Sequence, residues 1–190
     1  MYTTYIILWI VVFFLLLLSI KIVRPNTVAV VLFLGKTGRI LREGINFIIP
    51  IFEGVKRQSL ALINLSVKVD GITKDNVKTS VNINVIYRVK TDDQSVIDSL
   101  FKNSNVVQTI TSLTEEQLRA RIFEFSHEEI FGKRSEIGEE IKDTLCVKMA
   151  EFGMELDSVQ VVDIQLDQKV IDAMNNVVAS QKNKAAAITE

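Results

Sequence analysis

The chain begins with an apolar run that constrains every other inference about its fold. Fifteen consecutive residues, Ile6–Ile20, carry no charge. Neighbouring residues extend the run to about 22, or about 33 Å as a helix, which is enough to cross a hydrocarbon core of about 30 Å. Because apolar residues occupy every side of such a helix, the sequence predicts a transmembrane helix rather than an amphipathic one.

The flanks of this run argue against a cleaved signal peptide and indicate an orientation. Residues 1–5 contain no Lys or Arg, and no small-residue cleavage site follows the run. Five cations precede the first acid, Glu43. Since cytoplasmic flanks collect Lys and Arg, we expect a single-pass membrane protein with an anchor over residues 1–23, its N-terminus outside and its domain on the cytoplasmic side. Three anchor residues are expected to contact the membrane: Trp9, Phe13 and Phe14.

Composition excludes several classes of protein. The net charge of −1 gives no indication of nucleic-acid binding. A single cysteine, Cys146, excludes an internal disulfide framework. Because the sequence has only one histidine and one cysteine, we do not expect a transition-metal site. We therefore expect no metal and no cofactor. The basic residues between positions 21 and 42 fit either an anionic leaflet or a solvated strand face.

Two apolar segments follow the anchor. The β-branched stretch Thr27–Leu34 predicts a buried strand, and Gly35–Gly38 predicts a hairpin turn after it. The second segment, Ile45–Phe52, contains Pro50 and is too short to span a membrane. It fits an edge strand packed on the core, or a membrane-dipping segment beside the anchor whose lipid contacts would be Phe47, Ile48, Ile49, Ile51 and Phe52.

The middle of the chain changes its hydrophobic period. Residues 61–69 and 77–89 alternate apolar and polar side chains, which predicts an antiparallel pair of strands with one wet face. Helical patterns follow at about 94–101, 105–125 and from Ser135 to Gly153, and Leu156–Leu166 returns to a strand pattern. Strands, then helices, then a strand predict an α+β domain over residues 24–167.

The final segment, residues 168–190, has the spacing of a coiled-coil seam. Apolar or small positions recur at intervals of three and four, with one polar residue among them: Ile171, Met174, Val178, Gln181, Ala185 and Ile188. This is the start of a C-terminal coiled-coil helix, expected to support oligomerisation, although it is shorter than the three or four heptads of an established coiled coil. We expect the natural helix to be longer than the sequence given.

Catalytic motifs are not recognisable. The sequence holds no phosphate-binding, dinucleotide-binding, metalloprotease or hydrolase motif. His127, the single imidazole, lies in a pattern typical of a helix start, and Cys146 lies among apolar residues where burial is expected. The prediction is that the chain is not an enzyme.

Four stretches together resemble a known superfamily. The segments RPNTVAVVLFLGKTGRILREGINFIIPIFEGV, TKDNVKTSVNINVIYRV, ITSLTEEQLRARI and FGMELDSVQVVDIQLDQKVIDAMNNVVASQKNKAAA are similar to the stomatin/prohibitin/flotillin (SPFH, band-7) superfamily, and most to its stomatin branch. The chain departs from the family pattern at Glu43 and at Asp167, where proline is usual.

The resemblance implies a non-enzymatic scaffold. Relatives form rings or cages in membranes, organise lipid microdomains and regulate channels or membrane proteases. The expected partners are therefore membrane lipids, further copies of the chain, and a membrane protease or channel. The alternative function is a regulatory partner or substrate of a membrane protease. The resemblance also favours the membrane-apposed interpretation of Ile45–Phe52.

Overall fold

The computed structural model describes residues 2–102, 105–168, 170–173, 175–177 and 179–180. Five helices and eight strands are defined in this part of the chain, which confirms the predicted α+β class. In order they are α1 (Tyr2–Ser19), β1 (Ile20–Val23), β2 (Thr27–Phe33), β3 (Lys36–Leu41), β4 (Gly44–Phe47), β5 (Glu53–Ser59), β6 (Ile63–Ile72), β7 (Lys78–Val89), α2 (Asp93–Phe101), α3 (Val106–Glu124), α4 (His127–Gly132), α5 (Arg134–Ala150) and β8 (Met154–Leu166).

The chain divides into two compact units. The first comprises Met1–Ile63, Tyr87–Val106 and Met149–Glu155; the second comprises Asn64–Ile86, Val107–Lys148 and Leu156–Glu190. Strands β6, β7 and β8 form a three-stranded sheet in the order β6-β7-β8.

Two sheets build the first unit. Strands β1 and β4 form an antiparallel ribbon, and β3-β2-β5 form an antiparallel sheet. β2 is its central strand, and four of its seven residues, Val28–Val31, are buried, because these β-branched or small apolar side chains pack on both faces. Five buried side chains make a small core here: Val23, Ala29, Val31, Leu41 and Ile48.

The second unit follows the predicted alternation. Val81, Ile83 and Val85 of β7 are buried, whereas the residues between them are partly exposed. Helix α3 buries Ile110, Thr114, Leu118 and Ile122, and α5 buries Ile137, Ile141 and Leu145 at the four-residue spacing of one helical face. Gly71 is required beside α3, since a Cβ there would come within 2.9 Å of Ile122.

Helix boundaries confirm several local signals. Asp92 caps α2 by accepting a hydrogen bond from the Ser95 amide, and Ser126 with Glu129 forms the capping box of α4. Gly153 has φ +72°, as its predicted position after a helix requires.

Two local predictions were wrong, and one strand was missed. The apolar run does not stay helical to Val23, because Ile20–Val23 pairs with Gly44–Phe47 as β1. The hairpin turn is Leu34-Gly35, and Lys36 already pairs with Phe33. Strand β5 was not predicted, since its sequence EGVKRQS has no apolar alternation; its pairing with β2 makes it a strand.

The transmembrane helix stays a prediction. Within the residues that the structure describes, no helix combines the length and apolarity needed to cross a membrane.

Candidate functional site

The candidate site is an exposed apolar surface of the first unit that begins with α1. The described large apolar side chains of this helix are all exposed, including three that were predicted to contact lipid: Trp9 (72%), Phe13 and Phe14. Soluble monomers rarely expose contiguous apolar patches larger than a few hundred Å², so exposed apolar side chains along a whole helix indicate a candidate binding surface.

The β1–β4 ribbon continues this surface. Ile20 pairs with Phe47 and Ile22 pairs with Ile45, so the four side chains lie on the same face of the ribbon. All four are exposed, whereas Val23 is buried in the core. Sequence reasoning missed Ile20, Ile22 and Ile45 as a set, because the first two were assigned to a helix; their i, i+2 spacing was the available signal.

Helix α1 is joined to the ribbon without a linker. Ser19 is the last helical residue and Ile20 is the first residue of β1. The Ile48 amide donates to the Ser19 carbonyl at 2.8 Å, and the Ser19 hydroxyl donates to the Ile48 carbonyl. These two bonds connect the end of the helix to the segment that follows β4.

The turn after β4 forms the far end of the surface. Ile49, Ile51 (87%) and Phe52 are exposed, and their contact with a membrane stays a prediction. Ile48 is the exception, because it lies in the core and is 5% exposed. We therefore leave Ile48 out of the candidate site. Gly44–Phe47 is thus a strand paired with β1, whereas the membrane-dipping interpretation of this segment stays a prediction.

A carboxylate holds this turn in place. Glu53 accepts hydrogen bonds from the Ile49 amide at 2.8 Å and from the Arg39 guanidinium at 3.2 Å. Its side chain is 10% exposed. Arg39 also donates to the Phe47 carbonyl at 2.6 Å, so one ion pair fixes both the end of β4 and the turn. A hydrogen-bonded charge pair of this kind orders the backbone it contacts.

The basic residues near the surface divide into two groups. Arg39 pairs with Glu53, and Arg42 pairs with Asp93 at 2.9 Å. Lys21, Arg24 and Lys36 form no ion pair within the described ranges. Cations beside an exposed apolar face are suited to anionic lipid headgroups.

The predicted oligomerisation residues are mostly outside the described part of the chain. Ile171 is described and is half-buried. Met174, Val178, Gln181, Ala185 and Ile188 lie outside the described residues, so the coiled-coil seam stays a prediction.

His127 contacts a carboxylate in the second unit. Its Nδ1 lies against Asp75, and its backbone amide donates to the same carboxyl at 3.2 Å. The Thr73 hydroxyl and these contacts hold the pKa of Asp75 at about 2. Ser126, the neighbouring hydroxyl, accepts from the Glu129 amide as a helix cap. The pair therefore ties the turn at Asp75 to the start of α4, and gives no nucleophile–base arrangement.

Two further sequence expectations concern reactive side chains. Cys146 was expected to be buried and is exposed instead, because it lies outside the helical face of Ile141 and Leu145. In the described part of the chain, no three metal-binding side chains come together.

Comparison with known proteins gives a consistent set of relatives. The chain is 29% identical over 188 residues to a stomatin homolog of Pyrococcus abyssi, covering 98% of this chain and 68% of the relative. It is 28% identical over 163 residues to a stomatin-like protein of Caenorhabditis elegans, covering 83% and 48%. A band 7 family protein of Acanthamoeba polyphaga mimivirus is 27% identical over 156 residues, covering 81% and 50%. The chain thus spans half to two thirds of the length of these relatives.

Residues 21–190 match the family described as SPFH domain / Band 7 family. This match begins at Lys21, the second residue of β1, so it includes the second unit and all of the first unit except α1 and Ile20. The motifs that carry the resemblance lie on β2–β5, β7, α3 and β8, so they are distributed over the whole domain. On this match and these relatives, the chain belongs to the SPFH domain / Band 7 family, in its stomatin-like branch.

Proposed function

We propose that the protein is a membrane-attached, oligomeric scaffold of the stomatin type, with no catalytic activity. The observation that carries the proposal is the set of exposed apolar side chains on α1, the β1–β4 ribbon and the Ile49–Phe52 turn, three elements that are joined by backbone pairing and hydrogen bonds. Family membership supports a stomatin-type scaffold in general, since proteins of this family are generally non-enzymatic scaffolds. The membrane attachment, the microdomain role and the assembly are the parts proposed here.

The apolar surface is well suited to lipid because its exposure is unfavourable in water. Each Å² of apolar area removed from water contributes about 25 cal/mol, so a side chain such as Phe47 gains on the order of 2 kcal/mol when lipid covers it. Helix α1 is the proposed anchor, with its N-terminus outside and the domain on the cytoplasmic side. The uneven distribution of cations around the helix supports this orientation.

The anchor is tested by extraction of the full chain from membranes with alkaline carbonate. We expect the chain to stay in the membrane fraction and the double variant Ile10→Arg, Phe14→Arg to be released. Ile10→Leu, Phe14→Leu is the matched control, because it keeps the helix apolar. Complete extraction of the unchanged chain would contradict membrane attachment by α1.

The orientation is tested by labelling single cysteines in a Cys146→Ser background. An impermeant thiol reagent added to intact cells is expected to label Thr4→Cys and to label Ser59→Cys only after the membrane is opened. The reverse pattern would place the domain outside.

Assembly is proposed to depend on residues 168–190. Many weakly attached copies bind a membrane with an avidity that a single copy lacks, and the heptad spacing of this segment supports self-association. Native electrophoresis of the detergent-extracted chain is expected to show a smaller species after deletion of 168–190. An unchanged size would assign assembly to another surface.

A regulatory partner or substrate of a membrane protease is the alternative function. Crosslinking in membranes followed by affinity purification separates the two. A ladder of self-crosslinked chains supports the scaffold, whereas a crosslinked protease supports the alternative.

A further inference from the structure

Two neighbouring turns of the first unit carry large apolar residues in an unfavourable backbone conformation. Leu34 has φ +48° in the β2–β3 hairpin, and Ile51 has φ +79° in the turn before β5. Positive φ is uncommon for residues other than Gly, Asn and Asp, and for a β-branched residue such as Ile51 it is a genuine outlier. Leu34 also occupies the first turn position of a two-residue hairpin, where Asn or Gly is preferred.

Both residues are exposed as well as strained. Leu34 is 69% exposed, and its neighbour Phe33 is exposed too. In the isolated chain, neither Leu34 nor Ile51 therefore gains enough burial to offset its backbone conformation. Strained residues persist where the surrounding structure fixes them, and they are concentrated at functional sites. These two side chains gain burial only when something else covers them.

The two turns are held next to each other. The Leu34 amide donates to the Phe52 carbonyl at 3.1 Å, which joins the hairpin to the Ile51 turn. The Ile51 turn is itself closed by the Glu53 amide, which donates to the Ile49 carbonyl at 3.0 Å. The Glu53–Arg39 ion pair lies at the base of this turn. Hydrogen bonds and one ion pair thus hold the turns of Leu34 and Ile51 together, and we call the segments Phe33–Leu34 and Ile49–Phe52 the apolar tip.

The surroundings of the apolar tip favour lipid over protein as the covering partner. Ile49 follows Ile48, whose backbone is bonded to the end of α1, so the tip is continuous with the proposed membrane surface. Lys36 pairs with Phe33 across the hairpin and is exposed. A cation flanking exposed apolar side chains fits a leaflet with anionic headgroups above its acyl chains.

We infer that the Phe33–Leu34 turn is a further membrane contact, which enters the outermost acyl-chain layer of an anionic leaflet together with Ile51. Arg39 and Glu53 are its positioning residues. The inference rests on the proposed membrane attachment and deepens it, because it adds the Phe33–Leu34 turn to the lipid-facing surface of α1, the ribbon and the Ile49–Phe52 turn. The partner is the boundary between the headgroups and the acyl chains.

The inference is tested with the full chain reconstituted into vesicles of phosphatidylcholine with phosphatidylserine. In a Cys146→Ser background, Leu34→Cys and Ile51→Cys are labelled separately with an environment-sensitive fluorophore. We expect a blue-shifted emission and a several-fold rise in intensity for both labels. Lipids brominated near the headgroup should quench both labels more strongly than lipids brominated near the chain ends.

Ser59→Cys is the matched control. It lies at the other end of β5, about 20 Å from Glu53 at the rise of an extended strand, and Ser59 is also exposed. Its label should keep the emission of a water-exposed dye. A second variant, Leu34→Asp, should lower the quenching of the Ile51→Cys label several-fold, whereas Thr37→Asp in the same hairpin should not.

Three outcomes distinguish a failure of this inference from a failure of the proposed function. A water-exposed label at position 34 in a chain that resists carbonate extraction would overturn the inference and leave the proposed function intact. A label that is shielded at high protein density but not quenched by brominated lipid would assign the tip to a second copy of the chain, and would also overturn it. A chain that does not enter vesicles at all would contradict the proposed function itself.

Discussion

The β1–β4 ribbon and strand β7 use the same alternation to opposite effect. In β7 the apolar residues Val81, Ile83 and Val85 are buried, and the polar residues between them are not. In the ribbon, the face with Ile22 and Phe47 is apolar and exposed. The comparison shows that period two identifies a strand and its two faces, and that the apolar face is not always the one that the fold covers.

The largest expected effect is on the buried side of this comparison. Ile83→Ala should lower the free energy of unfolding by about 2–5 kcal/mol, because it removes packed methylene groups and leaves a cavity. Ile22→Ala should change it by less than about 0.5 kcal/mol, since Ile22 is 63% exposed. Urea denaturation of the detergent-solubilised chain measures both. A similar loss of unfolding free energy in both variants would show that the ribbon face contributes to the core as β7 does.

Substitutions on the exposed face of the β1–β4 ribbon should change membrane contact rather than the stability of the fold. Phe47→Asp places a charge on the ribbon face and should weaken the binding of this face to lipid by about 1.4 kcal/mol. An aqueous quencher should then reach a fluorophore attached at Ile22→Cys about tenfold more readily. The chain should still resist carbonate extraction, because α1 is unchanged. Asn46→Asp, on the other face of β4, is the control. Equal access in all variants would show that lipid does not cover the ribbon.

A smaller effect is expected at Asp75, which lies in a polar contact of the second unit. Hydrogen bonding, first from Thr73 and then from His127, lowers its pKa from 3.8 to about 2. A depressed carboxyl pKa stabilises the fold above the ordinary value, and that stability is lost as the pH falls through about 4 towards 2. After solvent screening, we expect about 1 kcal/mol from this site.

Urea denaturation from about pH 6 down to about pH 2 measures this contribution of Asp75, because most of it is lost as the pH falls through that range. Asp75→Asn should remove it from the pH dependence, while Asp157→Asn, at an exposed position of β8, should leave the dependence unchanged. A retained pH dependence in Asp75→Asn would place the titration elsewhere.

The smallest expected effect is that of Ile51→Gly, which should raise the stability of the fold and lower the contact of the apolar tip with lipid. Ile51→Gly removes the steric strain of a β-branched residue at positive φ, and should raise the free energy of unfolding by about 0.5–1 kcal/mol. It should also lower the lipid quenching of a label at Leu34→Cys, because the tip loses an apolar side chain. Ile49→Gly is the control, since it loses similar apolar area without relief of a positive φ. A loss of stability in Ile51→Gly would contradict the strain argument.

Much of the second unit was predictable because its signals are local. The alternation at Val81–Val85, the four-residue spacing on α5 and the Ser126–Glu129 capping box each depend on residues close in sequence. Such signals fix element type before any long-range contact is known.

The first unit was less predictable because distant pairing decides its structure. The residues Ile20–Val23 suit a helix as well as a strand, and their pairing with β4 selects the strand. The polar sequence of β5 becomes a strand through β2. Leu34 could not be assigned to the site, since leucine is not a turn signal and its exposure follows from the position of the hairpin. Ile48 was assigned wrongly because it shares its apolar character with exposed neighbours.

The direct passage from Ser19 to Ile20 has a mechanical consequence. A flexible linker would allow a domain to swivel beneath its anchor, but here the helix end is bonded to Ile48 and continues as the ribbon. A change in the tilt of α1 must therefore rotate the ribbon with it. In the oligomeric assembly proposed above, this coupling would give every subunit the same angle between helix and ribbon.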